Sequence, residues 1–166
     1  MKRPLFVLIA ILAVMSLACS VSVDLPEPKT GATEIMEISE EAPSGGDTEL
    51  TIGMGGGKLD LGPGADRLVE GTVEYNVEDW KPEVSRDGRE VRIEQTIKNA
   101  SFLGGKVVNE WDLRLGKTPM ELVIQAGAYE GEIDLSGVPL RNLRISDGAS
   151  KATVMFNLRN PVEMEE

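Results

Sequence analysis

The sequence predicts an all-β protein of short stacked β-coils preceded by a flexible N-terminal tether. Three observations predict it. From Glu49 onward the chain breaks into short β-type runs punctuated by glycine, among them ELTIG, KLDLG, GTVEYNV, EWDLRL, MELVIQA and ATVMFNL. Apolar residues alternate in "VRIEQTI" and "WDLRL", the period of a half-buried strand, and no window from 49 to 160 sustains a helical period. A unit also recurs: "ELTIGMGGGKLDL" (49–61), "ELVIQAGAYEGEIDL" (121–135) and "NLRISDGASKATVMF" (142–156).

Residues 1–18 come first. Lys2 and Arg3 precede an apolar run from Leu5 to Ala18, the layout of a signal peptide and shorter than a comfortable bilayer span. Ala18 then precedes Cys19, the single cysteine of the chain. "MSLACS" resembles a bacterial lipobox, although Ser16 stands where that motif prefers leucine. The resemblance implies a diacylglyceryl group on Cys19, cleavage before it and a membrane anchor. Two or three acyl chains hold where one alone is marginal. An acylated Cys19 would leave no thiol for a disulfide or a metal.

Residues 19–48 are expected to be an acidic, flexible tether. Seven acids face Lys29 alone, with three prolines and no aromatic residue, a poor composition for a core. "TEIMEISEEA" could form a transient helix. As a free chain the segment would reach roughly 30 Å.

Residues 49–161 carry the β domain, and 162–166 an acidic tail. In the recurring unit each copy has Leu-x-Ile, a glycine three residues after the Ile, and a second strand ending apolar-x-apolar. The second and third copies align without a gap, whereas the first needs a two-residue gap. Leu122 and Leu143 are 21 residues apart, within the range of β-solenoid coils. Each unit reads as two short strands hinged at a glycine corner, Gly127 or Gly148, where glycine permits positive φ or close approach of the next coil. One coil cannot bury its own inner face, so coils must stack. A β-sandwich with hairpin turns would yield the same alternation and stays open as the alternative.

Composition narrows the function. The chain has no histidine, which removes Ser-His-Asp and Cys-His nucleophiles and His-rich zinc sites. Without residues 1–18 it carries 15 bases and 28 acids, a net −13 that argues against nucleic acid and against attraction to anionic lipid.

The candidate sites are few. "MGGGKLD" (54–60) lacks the Gly-Lys-Ser/Thr ending of a phosphate loop and reads as a corner between coils. Tyr75 and Trp80 are the candidate recognition aromatics for a glycan, Trp80 lying in a loop-like Glu-Asp-Trp-Lys-Pro, whereas Trp111 starts an alternating core face. Asp60, Asp134 and Asp147 lie near the glycine corners, yet one carboxylate per coil rarely satisfies calcium, and Asp147 is expected to bond its own turn. No catalytic residue, metal or cofactor is expected.

"LVEGTVEYNVEDWKPEVS" (68–85), "WDLRLGKTPMELVIQAGA" (111–128) and "IDLSGVPLRNLRISDGASKATVMFNLRNP" (133–161) resemble the toast-rack N-terminal domain of bacterial envelope proteins. They are also similar to adhesin-like β-helix domains and to LiaF-like C-terminal domains. The resemblance covers nearly all of 49–161 and implies a β-coil stack without assigned catalytic or binding residues. The resulting expectation is an envelope lipoprotein facing outside the cytoplasm, with a non-enzymatic binding or structural module for a protein or glycan partner. The alternatives are a stress-regulatory component contacting a membrane sensor and, furthest back, a carboxylate-pair glycan hydrolase.

Overall fold

The computed structural model describes residues 29–46, 48–96 and 106–165. The expected signal peptide (residues 1–18) and Cys19 lie outside the described residues. Eight strands follow one another: β1 (Thr30–Glu40), β2 (Thr48–Pro63), β3 (Val69–Val77), β4 (Glu83–Asp87), β5 (Glu90–Glu94), β6 (Asn109–Leu115), β7 (Met120–Asp134) and β8 (Leu140–Met155). A single 3-10 turn, Glu78–Trp80, interrupts them. Among these residues no helix is long and apolar enough to cross a membrane.

All eight strands join one strongly curled open sheet. The long strands β2, β7 and β8 stack in parallel and form its spine. The start of β2 pairs with β5, which pairs with β4. The end of β2 pairs instead with β6, followed by β3 and β1. The spine thus bends between two arms. It is a coil stack, as expected, and not a sandwich.

The inner faces explain the stack. In one arm Ile93, Ile52, Ile124 and Ile145 align across β5, β2, β7 and β8. In the other, Val73, Trp111 and Leu59 align across β3, β6 and β2, with Leu113, Leu61, Ile133 and Val154 in the next row. Leu50, Ile52, Leu61, Trp111, Leu113, Leu122 and Ile124 are all buried in a single core. Period-two alternation along each strand builds a continuous apolar wall from strands that could not bury it singly.

Four details correct or narrow the sequence expectation. Each coil is one long bent strand and not a hinged pair: β2 and β8 have 16 residues each and β7 has 15. No gap separates the first copy from the second, because Leu50 opposes Leu122 and Leu61 opposes Ile133 in one constant register. Of the two roles left open for the corner glycines Gly127 and Gly148, positive φ is not used. They are required by close approach: a Cβ on Gly127 would lie 2.2 Å from the Gly55 carbonyl oxygen, and one on Gly148 would lie 2.8 Å from that of Gly127. Positive φ occurs elsewhere in the triglycine run, at Gly57 (+130°).

The fourth difference is β1, which falls inside the segment expected to be a flexible tether. Met36 and Ile38 alternate inward beside Val73 and Gly71, while Ile35 and Glu37 point outward. Ile38 is fully buried in the core. Two inward apolar residues on an edge strand outweigh a local acidity that one solvated face can absorb.

Candidate functional site

The outer face of the second arm is polar because every residue there alternates with a core residue. Its rows read Glu74, Glu110, Lys58, Glu130, Lys151 and Thr72, Asp112, Asp60, Glu132, Thr153, across β3, β6, β2, β7 and β8. Together they line a groove of about 460 Å³. Like charges on neighbouring strands repel, and bases placed among them offset this. Lys58 Nζ lies 2.8 Å from Glu110 Oε1. Arg114 reaches Asp60 at 2.7 Å and Asp112 at 2.9 Å.

Neighbouring carboxylates in the groove, Asp60 and Asp112 among them, raise the hydrolase alternative. A hydrolytic pair needs one carboxyl in dry surroundings that keep it protonated. Asp60 and Asp112 are instead 56% and 62% exposed in their side chains and share one guanidinium. Among the described residues no cluster of three or more ligands could hold a metal ion. The groove is a solvated surface of paired charges.

The second feature is the rim of the stack. Within the described residues β8 pairs with β7 alone. Its inner row continues the core, but past the start of the strand none of the described residues covers it, and Val154 and the following Phe156 are 39% and 55% exposed. The C-terminal segment folds back over only the first two residues of β8. Asn160 accepts from the Leu140 amide at 3.0 Å and donates to its carbonyl at 2.7 Å, and the Glu165 amide donates to Arg141 O at 2.8 Å. From residue 142 on, one side of the β8 backbone is open among the described residues, a row of donors and acceptors able to template another strand.

The two aromatics expected to be recognition residues are both internal, a correction to the sequence reading. Tyr75 is 3% exposed and Trp80 is 2% exposed. The Tyr75 hydroxyl donates to Glu34 of β1 at 2.9 Å, and burial, reinforced by that carboxylate, pushes its pKa up. Trp80 walls a cleft of about 610 Å³ at the corner with Tyr129, Asn109 and Lys151. The aspartates at the corners stay apart: Asp60 binds Arg114, Asp134 accepts from the Ser136 amide at 2.9 Å, and Asp147 accepts from the Ser150 hydroxyl. Asp147 sits within β8 and not in a turn, and it bonds the side chain three residues along that strand, while the Ser136 contacts hold the Asp134 carboxyl below its usual range.

Sequence reasoning passed over Asn109. It is 3% exposed and joins four groups. Its amide exchanges paired hydrogen bonds with Gln95 at 2.8 and 2.9 Å, donates to Gly56 O, and accepts from Trp111 Nε1 at 3.0 Å. One polar side chain thereby fixes the corner of β2 against β6. Its position two residues before Trp111, on the inward phase of the strand, was the signal available.

A stacked coil sheet with an open last strand points to a known architecture. The profile described as "N-terminal domain of toast_rack, DUF2154" matches residues 27–164. The chain belongs to the toast-rack N-terminal domain family. The match takes in β1 and the C-terminal segment, in keeping with their packing here. The toast-rack domain is also similar in structure to a crystallised putative cell adhesion protein from Clostridium sporogenes ATCC 15579. Identity is 28% and the TM-score 0.65, covering 82% of this chain and 66% of that one. This chain therefore spans just under two thirds of that protein's length. No curated protein matches.

Proposed function

We propose that this toast-rack chain is a lipid-anchored protein of the cell envelope whose β-coil stack is a non-enzymatic binding module. The observation that carries the reading is the rim: among the described residues β8 is paired on one side only, so a partner strand can extend the sheet. Main-chain hydrogen bonds would supply affinity there, and the exposed side chains of β8 would supply selectivity. The neighbour named for cell adhesion supports a role in contacts at the cell surface. The "MSLACS" segment supports attachment through Cys19.

Photoreactive residues placed in the full chain at Arg144, Ser146 and Thr153 of β8, and at Gln125 of the enclosed strand β7, test the binding reading in the host cell. Adducts from β8 positions with none from Gln125 are expected. Adducts that arise only away from β8 would contradict it. Anchoring is tested separately: Cys19→Ala should remove the acyl mass and shift the protein out of the detergent phase. Unchanged partitioning and an unmodified parent N-terminus would end that part of the proposal.

A further inference from the structure

Besides β8, two other strands, β4 and β1, lie at open edges of the curled sheet among the described residues. Among the described residues β1 pairs only with β3, at the far end of the arm that closes with β8. The order in this arm is β1, β3, β6, β2, β7, β8, and the pairings relate the ends simply. β1 is antiparallel to β3 and β3 to β6, while β6, β2, β7 and β8 are mutually parallel in sequence of pairing. The edges β1 and β8 therefore run in the same direction. A copy displaced along the stack can set its β1 beside β8 as one more parallel strand.

Charge separates the same two edges. β1 carries Glu34, Glu37 and Glu40 and no base, a local −3. β8 carries Arg141, Arg144 and Lys151 against Asp147, a local +2 in a chain whose net charge is −11. Arg144 and Lys151 have no ion pair among the described residues, and neither has Glu37. Like edges brought together would oppose like charge, β1 on β1 or β8 on β8, whereas β8 on β1 sets bases against acids.

The faces also agree. Glu37 is opposite Thr72 and Lys151 opposite Glu130, so both point to the outer, grooved face. A parallel register with Lys151 beside Glu37 keeps Ser150 and Ala152 on the inner side, next to Met36 and Ile38. A shift of one residue would turn every side chain to the wrong face. The exposed Ile35 and Val154 would gain cover near the junction.

We infer that the occupant of the β8 edge is the β1 edge of a second copy of this chain, joined head to tail in parallel. The inference rests on the proposed use of the β8 rim and names its partner. A heterologous contact of this kind leaves a free edge at each end, so it permits short open arrays and not only dimers.

The test uses two tagged full-length chains expressed together, one with Glu37→Cys and the other with Lys151→Cys, treated with a short bis-maleimide. The parent chain, with Cys19 alone, sets the background. A cross-linked product between the two differently tagged variants is expected, with neither variant linking to itself above background. Lys151→Glu on the β8 partner strand, linked through Thr153→Cys, should lower the yield severalfold. Glu37→Lys on the other copy, linked through Ser39→Cys, should restore it. Lys151→Cys chains linking to one another would overturn the head-to-tail arrangement in favour of a symmetric β8 contact. So would the absence of any product above background. Either result leaves the photoadduct test free to find a different β8 partner, so the two readings fail separately.

Discussion

The carbonyl oxygen of Gly55 lies where a Cβ on Gly127 would need to be, 2.2 Å from its ideal position. The next contact up the stack is looser, with Gly127 O at 2.8 Å from the corresponding position on Gly148. Neighbouring coils meet backbone to backbone at this corner, and the requirement is space and not backbone conformation. Overpacking a tight site costs about 1–3 kcal/mol. Gly127→Ala should fall at or above the upper end of that range and Gly148→Ala near the lower. Denaturant titration of both variants checks the order. Equal stabilities would mean the corner can relax freely.

Asn109 tests whether the corner is also held by polar contacts. Asn109→Ala strips partners from Trp111 Nε1, from Gly56 O and from the Gln95 amide. Each buried group left unpaired costs about 1–3 kcal/mol. A total loss of roughly 3 kcal/mol or more is expected, with a changed Trp111 environment in fluorescence. A loss below about 1 kcal/mol would show that the network adds little.

Acid should relieve a built-in repulsion in the first arm. Glu49 stands between Glu90 on β5 and Glu121 on β7, one residue per strand. Burial first, then Glu90 and Glu121, raise its pKa above the ordinary 4.5. Between that value and the raised one, the folded chain binds more protons than the unfolded chain. Stability from this site therefore falls as pH rises through the window, and the penalty stands in full above it. Glu49→Gln should stabilise at pH 7 by roughly 0.2–1 kcal/mol, the size of a cross-strand pair. The gain should shrink below pH 4.5. A gain independent of pH would assign it to something other than charge.

The C-terminal clasp should be local. Asn160→Ala removes both hydrogen bonds to Leu140, each with a net contribution of about 0.5–1.5 kcal/mol. Faster exchange at the Leu140 amide, with little change at Leu122 or Ile124, is the expected pattern. Global loosening would instead make the segment part of the core.

Much of this fold was legible in the sequence, and the exceptions have physical reasons. Leu122 with Leu143, and Ile124 with Ile145, announced the stacking of β7 on β8, because identical inward residues recur at a fixed spacing. The match of β2 to β7 was blurred at "KLDL", where Leu59 faces Gly131 and similarity alone favoured a slipped alignment. β1 was hidden by its acids: Glu34 and Glu37 made the segment look like a tether, and only pairing with β3 shows that Met36 and Ile38 are enough. Trp80 looked exposed beside Asp79 and Lys81, yet the short turn that carries it aims the ring inward. The β8 rim was less legible still. An open edge depends on which strand stacks last, a property of the whole assembly and of no local motif.

The central claim is a parallel coil stack that ends in a strand paired on one side, and residue-resolved amide exchange on dilute protein tests it most directly. In a strand, successive amides point to opposite sides. β7, enclosed by β2 and β8, should be protected at nearly every position from Leu122 to Ile133. β8 from Leu143 to Val154 should alternate, with amides facing β7 slow and those facing outward fast. Protection in β8 as continuous as in β7 at low concentration would contradict the account, since it would mean that the edge is already covered.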